Sequence, residues 1–285
     1  MSLVPMTELL KKAQQGRYAV GAFNCNNMEI VQAIVTAAAA EKSPVIIQAS
    51  QGAIKYAGVE YIATLTKIAA DQVNVPVALH LDHGSSFAQV MQCARYGFSS
   101  VMIDGSKFSL EENIALTKKV IEAVRLLGIS VEAELGKIGG TEDDVSVDER
   151  DALFTDPAEA EHFVKETGVD ALAIAIGTAH GQYKGVPKLD FERLKKIRQR
   201  IDTPIVLHGS SGVPDEAIQE AISLGVCKVN IDTNIREAFV KTARKILEGN
   251  LQEIDPRNVL GPARDAAVEV IRQKIRVFGC NGKAS

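Results

Sequence analysis

A closed (β/α)8 barrel, a TIM-barrel α/β fold, is what this sequence predicts, and three observations carry the prediction. Short β-rich runs alternate with longer stretches of helical period, the pattern of a parallel sheet whose strands are joined by helices. The runs number eight. The 285 residues are 46% hydrophobic, enough to fill one barrel of about 250 residues.

Taken in order, an extra helix at Thr7 to Gln15 precedes the first strand, Tyr18 to Asn24, and a helix at Asn27 to Glu41 leads to the second, Pro44 to Ser50. The third strand, Val77 to Asp82, is followed by a helix at Ser86 to Tyr96. The fourth, Ser100 to Asp104, is followed by one at Ser109 to Leu127. The fifth strand is Ser130 to Leu135, with a helix at Asp156 to Thr167. The sixth is Ala171 to Ile176, with a helix at Asp190 to Arg200, and the seventh is Pro204 to His208, with a helix at Pro214 to Leu224. The eighth is Lys228 to Asp232, after which Thr233 to Leu251 and Pro262 to Phe278 close the chain as a C-terminal helical extension. Ser, Asp and Asn stand where helices open, and Pro214 suits a first turn. The glycines of ARYG, RLLG, KETG and ISLG fall where a left-handed residue would stop a helix before a strand. A doubly wound sheet would carry a GxGxxG turn after the first strand, and none is present. No repeat or Gly/Ser linker divides the chain, so residues 1–285 are expected to form a single domain.

The formal net charge is only -4, which leaves no basic field for nucleic acid or an anionic membrane. A bound phosphate would have to be met locally. No apolar run of about 18 residues and no leader pattern occurs, so a cytoplasmic protein is expected. Cys25, Cys93, Cys227 and Cys280 form no CxxC pair and read as reduced packing residues.

Chemistry in such a barrel sits at the carboxyl ends of the strands. Those ends supply Asn24, Ser50, Asp82 with His83, Asp104, Glu134, His180, His208, and Asp232 with Thr233. Imidazoles from three strands, His83, His180 and His208, suit a catalytic zinc with an open position; separate hydrogen-bonded histidines in a polar pore are the alternative. His80 shares the inward face of its strand with Asp82, one layer deeper, and reads as support. His162 reads as a surface residue. Glu132 and Glu134 point the same way, so one or both lie over the mouth, where a metal or cation could pair them. The GKIGGTEDDVS segment beyond carries Glu142, Asp143 and Asp144. It is either a solvated turn or a loop hinged at Gly139 and Gly140 that brings a carboxylate over the site. HGSSG (His208 to Gly212) and NIDTN (Asn230 to Asn234) follow the last two strands, where backbone amides commonly cradle phosphate, and HGQYKG adds Gly181 and Lys184. A lysine Schiff base has no candidate, since Lys228 reads as a strand start and Lys184 as a loop residue.

VALHLDHGSS, VEAELGKIGGTEDD, IGTAHGQYKG, LHGSSG and KVNIDTN, in this order, resemble the class II, zinc-dependent fructose-1,6-bisphosphate aldolases, in the shorter branch that also includes tagatose-bisphosphate aldolases. The resemblance runs from AVGAFN to EIDPRNVLGPAR. It implies reversible cleavage of fructose 1,6-bisphosphate to dihydroxyacetone phosphate and glyceraldehyde 3-phosphate through a zinc-stabilised enediolate, a step of glycolysis and gluconeogenesis. On matching positions, Asp82 is the acid/base at the C4 oxygen and Glu142 moves a proton at C3. His83, His180 and His208 hold zinc, with Glu134 as a further or alternate contact and Asp104 near the metal. Gly181, Lys184, Gly209, Ser211, Asn230, Asp232 and Thr233 surround the ketose phosphate, and Asn24 and Ser50 line the pocket. Arg257 reaches the other phosphate, in some members from a neighbouring subunit. The resemblance also implies a homodimer or homotetramer, and a monovalent cation (Na+ or K+) is a further possible cofactor. Gly105 departs from the alanine common in the family, a change expected to touch packing. Tagatose-1,6-bisphosphate aldolase is the competing enzyme reading, against which Gly84 stands closer to the fructose branch. A non-catalytic sugar-phosphate-binding barrel would have lost some of Asp82, Glu142 and the histidines, and all are present.

Overall fold

The computed structural model describes residues 3–142, 145–147, 153–181, 183 and 185–284. Eight parallel strands close into a barrel: β1 (Val20–Asn24), β2 (Val45–Ala49), β3 (Val77–Gly84), β4 (Ser100–Ile103), β5 (Ser130–Leu135), β8 (Ala171–Ile174), β10 (Ile205–Leu207) and β11 (Val226–Ile231). The intervening numbers belong to three short strands outside the barrel, β6 (Gly139–Glu142), β7 (Val145–Val147) and β9 (Ala179–His180). Closure is made by β1 on β11, with Val20 opposite Lys228 and Phe23 opposite Ile231.

These runs form strands because β-branched residues fill both faces, and every described barrel residue is buried. The expected helices are present: α1 (Met6–Gly16), α2 (Met28–Ala40), α5 (Phe87–Arg95), α6 (Leu110–Val124), α7 (Pro157–Thr167), α8 (Phe191–Arg200), α9 (Asp215–Ser223), α10 (Thr233–Gly249) and α11 (Pro256–Val277). Asn27, Ser86, Ser109, Asp156 and Asp190 cap α2, α5, α6, α7 and α8 through their side chains, and Ser109 forms a full capping box with Glu112. The four glycines expected to stop helices, Gly97, Gly128, Gly168 and Gly225, all have positive φ.

Several expectations shift. Between Ser50 and Val77, where the sequence reading names no element, lie α3 (Gln51–Ala57) and α4 (Val59–Asp71). Ser50 caps α3, and α4 buries Val59, Ile62, Ala63 and Thr66 at helical spacing. Pro214 stands at the cap of α9 rather than in its first turn. Helix α11 begins at Pro256, six residues before the expected Pro262, because Asp255 caps it by accepting from Arg257 N at 2.9 Å. Pro262 is therefore interior and removes one ladder bond, a loss tolerated where α11 packs along both α10 and α2. Lys228 is no strand start: β11 begins two residues earlier, and Lys228 lies fully buried inside the barrel.

At the base, α1 plugs the barrel. Thr7 donates to Ser130 Oγ through both its amide (3.0 Å) and its hydroxyl (2.7 Å). No helix among the described residues is long and apolar enough to cross a membrane. All four cysteines are free and buried.

Candidate active site

Asp82 and His83 are neighbours on β3, and strict alternation would send them to opposite faces. The structure turns both into the mouth by a bulge. Between the pairs Leu81–Val101 and Gly84–Ile103, β3 holds one residue more than β4, and His83 takes a left-handed φ of 49°. Gly84 completes the bulge: a Cβ there would stand 2.4 Å from Met102 O.

The fully buried Asp82 carboxylate is fixed by three amides. Asn24 Nδ2 (2.9 Å) and Gln48 Nε2 (3.1 Å) donate to Oδ2, and Asn230 Nδ2 (3.3 Å) donates to Oδ1. Gln48 also donates to Asn24 Oδ1 at 2.7 Å. It is a site residue the sequence reading missed, although it precedes Ser50 on the inward face by the two-residue repeat.

Beside this carboxylate the three expected imidazoles converge. The ligand nitrogens of His83, His180 and His208 lie within 4.8 Å of one another, and those of His83 with the carboxylate oxygens of Asp104 and Glu134 do the same. His83 Nδ1 contacts Asp104 Oδ2 at 3.0 Å, and His208 Nε2 contacts Glu132 Oε1 at 2.8 Å. The remaining nitrogens, His83 Nε2 and His208 Nδ1, face each other at 3.0 Å. Each outer nitrogen is thus held by a carboxylate while the inner ones point to a common centre, the second sphere usual for metal-binding histidines.

Charge distribution agrees. Burial, reinforced by the charge of Asp104, pushes the Glu134 carboxyl well above the usual range. Its Oε2 has no hydrogen-bond partner among the described residues and stands 3.8 Å from His208 Nδ1. Burial opposes ionisation of Asp104, but the His83 contact and Ser106 outweigh it and hold the carboxyl low. Burial also lowers His208, favouring the neutral imidazole that a metal requires. An acceptor oxygen with no donor, beside the His208 imidazole that burial keeps neutral, belongs to a donor set that a divalent cation fits.

Of the two glutamates on β5, only Glu134 belongs to this cluster. Glu132 lies a layer below, fully buried, with Lys228 Nζ at 2.9 Å from its Oε2. His80 stays out of the cluster, contacting Ser100 Oγ through Nδ1 at 2.8 Å. His162 is a surface residue, as expected, 3.5 Å from Glu111.

A pocket beside the imidazoles is lined by Asn24, His180, Gly181, Gly209, Ser211, Asn230, Asp232 and Thr233, all expected, together with Ser210 and Arg236. Ser211 Oγ accepts from Asp232 N at 3.2 Å, which joins the loop after β10 to the start of α10. Tyr183 fastens the loop after β8 by donating to Gly209 O and accepting from Ala179 N, both at 2.7 Å. Arg236 is the missed cation of this pocket, ion-paired to Asp232 at 2.6 Å; its position one turn into the helix after NIDTN was the available signal. Ser50 caps α3 and does not line this part of the mouth. Arg257, with its side chain 88% exposed, pairs with Asp255 and lines a separate groove with Arg264 and Gln32.

The described parts of the GKIGGTEDDVS segment include two short strands. β6 and β7 form an antiparallel hairpin, and β6 also runs parallel to β9, with Gly140 opposite His180. A Cβ at Gly140 would meet His180 O at 2.2 Å, so a glycine is needed for the strands to approach. At the hairpin base Lys137 bridges to Leu153, and Thr155 Oγ1 donates to Leu135 O while accepting from Ala175 N. Glu142 ends β6; its side chain, like Asp143, Asp144 and Lys184, lies outside the described residues. Gly105 leaves room that Asn113 fills, and Asn113 Nδ2 donates to Glu134 O at 2.9 Å, so this departure indeed touches packing.

Comparisons with known proteins agree with this architecture. A family model described as fructose-bisphosphate aldolase class-II matches residues 4–283. The chain is 49% identical to a fructose-bisphosphate aldolase of Geobacillus stearothermophilus, with 100% of each chain covered. It is 46% identical to a fructose-bisphosphate aldolase of Thermus caldophilus, covering 99% of this chain and 100% of the relative. Among solved structures, the YdjI aldolase from Escherichia coli K12 superposes with a TM-score of 0.86 at 35% identity, covering 99% of this chain and 100% of that one.

Proposed function

The chain belongs to the class II fructose-bisphosphate aldolases, metal-dependent carbon–carbon lyases, and from that premise we propose how its own residues divide the work of cleaving fructose 1,6-bisphosphate. The observation that carries the proposal is the convergence of His83, His180 and His208 beside a carboxylate, Asp82, that three amides hold in place.

His83, His180 and His208 would hold the zinc that the family implies, with Glu134 as a further or alternate oxygen ligand and Asp104 near the metal at His83 Nδ1. When bound, the ion supplies positive charge that draws electron density from the ketose C2 carbonyl. Asp82 takes the proton of the C4 hydroxyl as the C3–C4 bond breaks, its oxygens kept in register by Asn24, Gln48 and Asn230. Glyceraldehyde 3-phosphate leaves. Glu142 then returns a proton to C3, and dihydroxyacetone phosphate completes the pair of products.

The ketose phosphate lies against the loop from Gly209 to Ser211 and the N-terminus of α10 at Thr233, where backbone amides and hydroxyls meet its oxygens. Gly181, Asn230 and Asp232 wall the same pocket, Arg236 contributes its guanidinium, and Lys184 follows in the adjoining loop. Arg257 points away from its own pocket, so its role at the second phosphate belongs to a neighbouring subunit of a homodimer or homotetramer. Ser50, at the carboxyl end of β2, joins Asn24 in lining the substrate pocket while its side chain also caps α3. A monovalent cation (Na+ or K+) beside the phosphate, a single domain over residues 1–285 and a cytoplasmic location complete the reading.

The test is cleavage of fructose and tagatose bisphosphates before chelation, after chelation and with zinc restored. Cleavage of the fructose ester that is lost and then restored is expected. Turnover indifferent to verified metal removal would overturn the metal-based reading.

A further inference from the structure

One layer below the mouth, Glu132 and Lys228 form an ion pair in which both side chains are fully buried; Nζ stands 2.9 Å from Oε2 and 3.3 Å from Oε1. Replacing such a pair with apolar residues is often neutral or stabilising, so fold stability alone does not account for it. Besides facing His80 Nε2 at 3.7 Å through Oε2, the glutamate reaches a ring of the cluster above. Glu132 Oε1 lies 2.8 Å from His208 Nε2, and on the other side of the same ring Nδ1 lies 3.0 Å from His83 Nε2.

An ionised carboxylate only accepts hydrogen bonds, so the ring nitrogen facing it must carry the hydrogen. That leaves the lone pair on Nδ1, toward the cluster. The lysine has a separate effect. It anchors the carboxylate from below, so that the oxygen facing His208 is set by the barrel wall of β5 and β11 rather than by a loop.

We propose that Lys228 and Glu132 are positioning residues that fix the tautomer and the angle of His208, so that Nδ1 is the nitrogen presented for metal binding. The inference rests on the metal-centre reading above. It gives a role to the buried lysine that needs no contact with substrate, and it separates Glu132 from its neighbour Glu134, two residues along the same strand face.

The geometry predicts an unusual order of zinc affinities. In Glu132→Gln the Lys228 ammonium claims the amide oxygen, since a lysine can only donate. The amide NH2 is then left facing His208 Nε2, which must accept, and the hydrogen moves to Nδ1. Zinc binding by the metal-free protein, read by competition with a chromophoric chelator, should weaken roughly 10–100-fold. In Glu132→Gln/Lys228→Met the amide oxygen is released to turn toward Nε2–H, so the double variant should bind zinc more tightly than the single one. A merely structural pair predicts the opposite order.

Glu132→Gln binding within about twofold of the parent, or a double variant no tighter than the single one, would overturn the proposal. Should either variant fail to fold, nitrogen NMR of the zinc-loaded parent decides. A hydrogen on His208 Nε2 is expected, and one on Nδ1 refutes the assignment. A parent protein that takes up no zinc would instead sink the metal-centre reading itself.

Discussion

At the base of the barrel Ser130 receives two hydrogen bonds from Thr7; at the mouth Glu134 Oε2, Gln48 Oε1 and Asn230 Oδ1 are buried with no hydrogen-bond partner among the described residues. The same strands run through both ends. The backbone differs as well, since the non-glycine positive φ within a strand, at His83, lies at the mouth. A fold places unsatisfied groups and strain where something else will bind, and saturates the end that only has to stay shut.

Substitutions at the two ends should therefore separate cleanly. The largest effect belongs to Asp82→Ala, expected to cut fructose-bisphosphate cleavage about 100-fold or more while zinc uptake persists, because Asp82 is not among the converging ligands. Retained turnover would remove Asp82 from the proton-moving role. His208→Ala should abolish tight zinc binding, and metal content equal to the parent's after dialysis would refute its assignment as a ligand. Gly140→Ala drives a Cβ into the His180 backbone and should lower turnover roughly 10-fold by parting β6 from β9. Unchanged kinetics would mean that the hairpin does not help place His180.

At the base the signs reverse. Thr7→Val removes the hydroxyl bond to Ser130 at a cost of about 1 kcal/mol and should lower Tm by roughly 2–4 °C with kcat unchanged. A loss of activity there would break the contrast between the ends. The smallest effect is at Glu41, where the Arg276 guanidinium, with Arg272, holds the carboxyl below its ordinary value of 4.5. A lowered carboxylate contributes stability that is complete above its ordinary value and is lost as pH falls through the lowered one. Glu41→Gln should accordingly lower Tm by roughly 2 °C at neutral pH and flatten its acid dependence, a difference that thermal melts at several pH values would measure.

The strands were legible because each is a buried β-rich run, and the mouth was legible because polar residues interrupt those runs at one end. Alternation correctly stacked His80 below Asp82, but it could not put His83 beside Asp82, which depends on a bulge between β3 and β4. Nor could it separate Glu132 from Glu134, since both face inward and only Lys228 decides which is neutralised. Lys228 looked like a strand start because a helix ending at Leu224 leaves Val226 and Cys227, the first two residues of β11, unassigned. The pairing of β6 with β7 escaped because glycine-rich acidic sequence has weak strand propensity, and the pairing of β6 with β9 is a tertiary event. Arg257 was named from resemblance, and nothing in its own chain's pocket would have suggested it.

Closure of the barrel by Val20 against Lys228 also orders events on the ribosome. Until the eighth parallel strand emerges, β1 and β10 present unpaired edges, and the closing contact spans most of the chain. Long-range pairing of this kind is slow and exposes aggregation-prone edges while it waits. Synthesis rate and chaperone access should therefore govern the yield of this protein more than its final stability does.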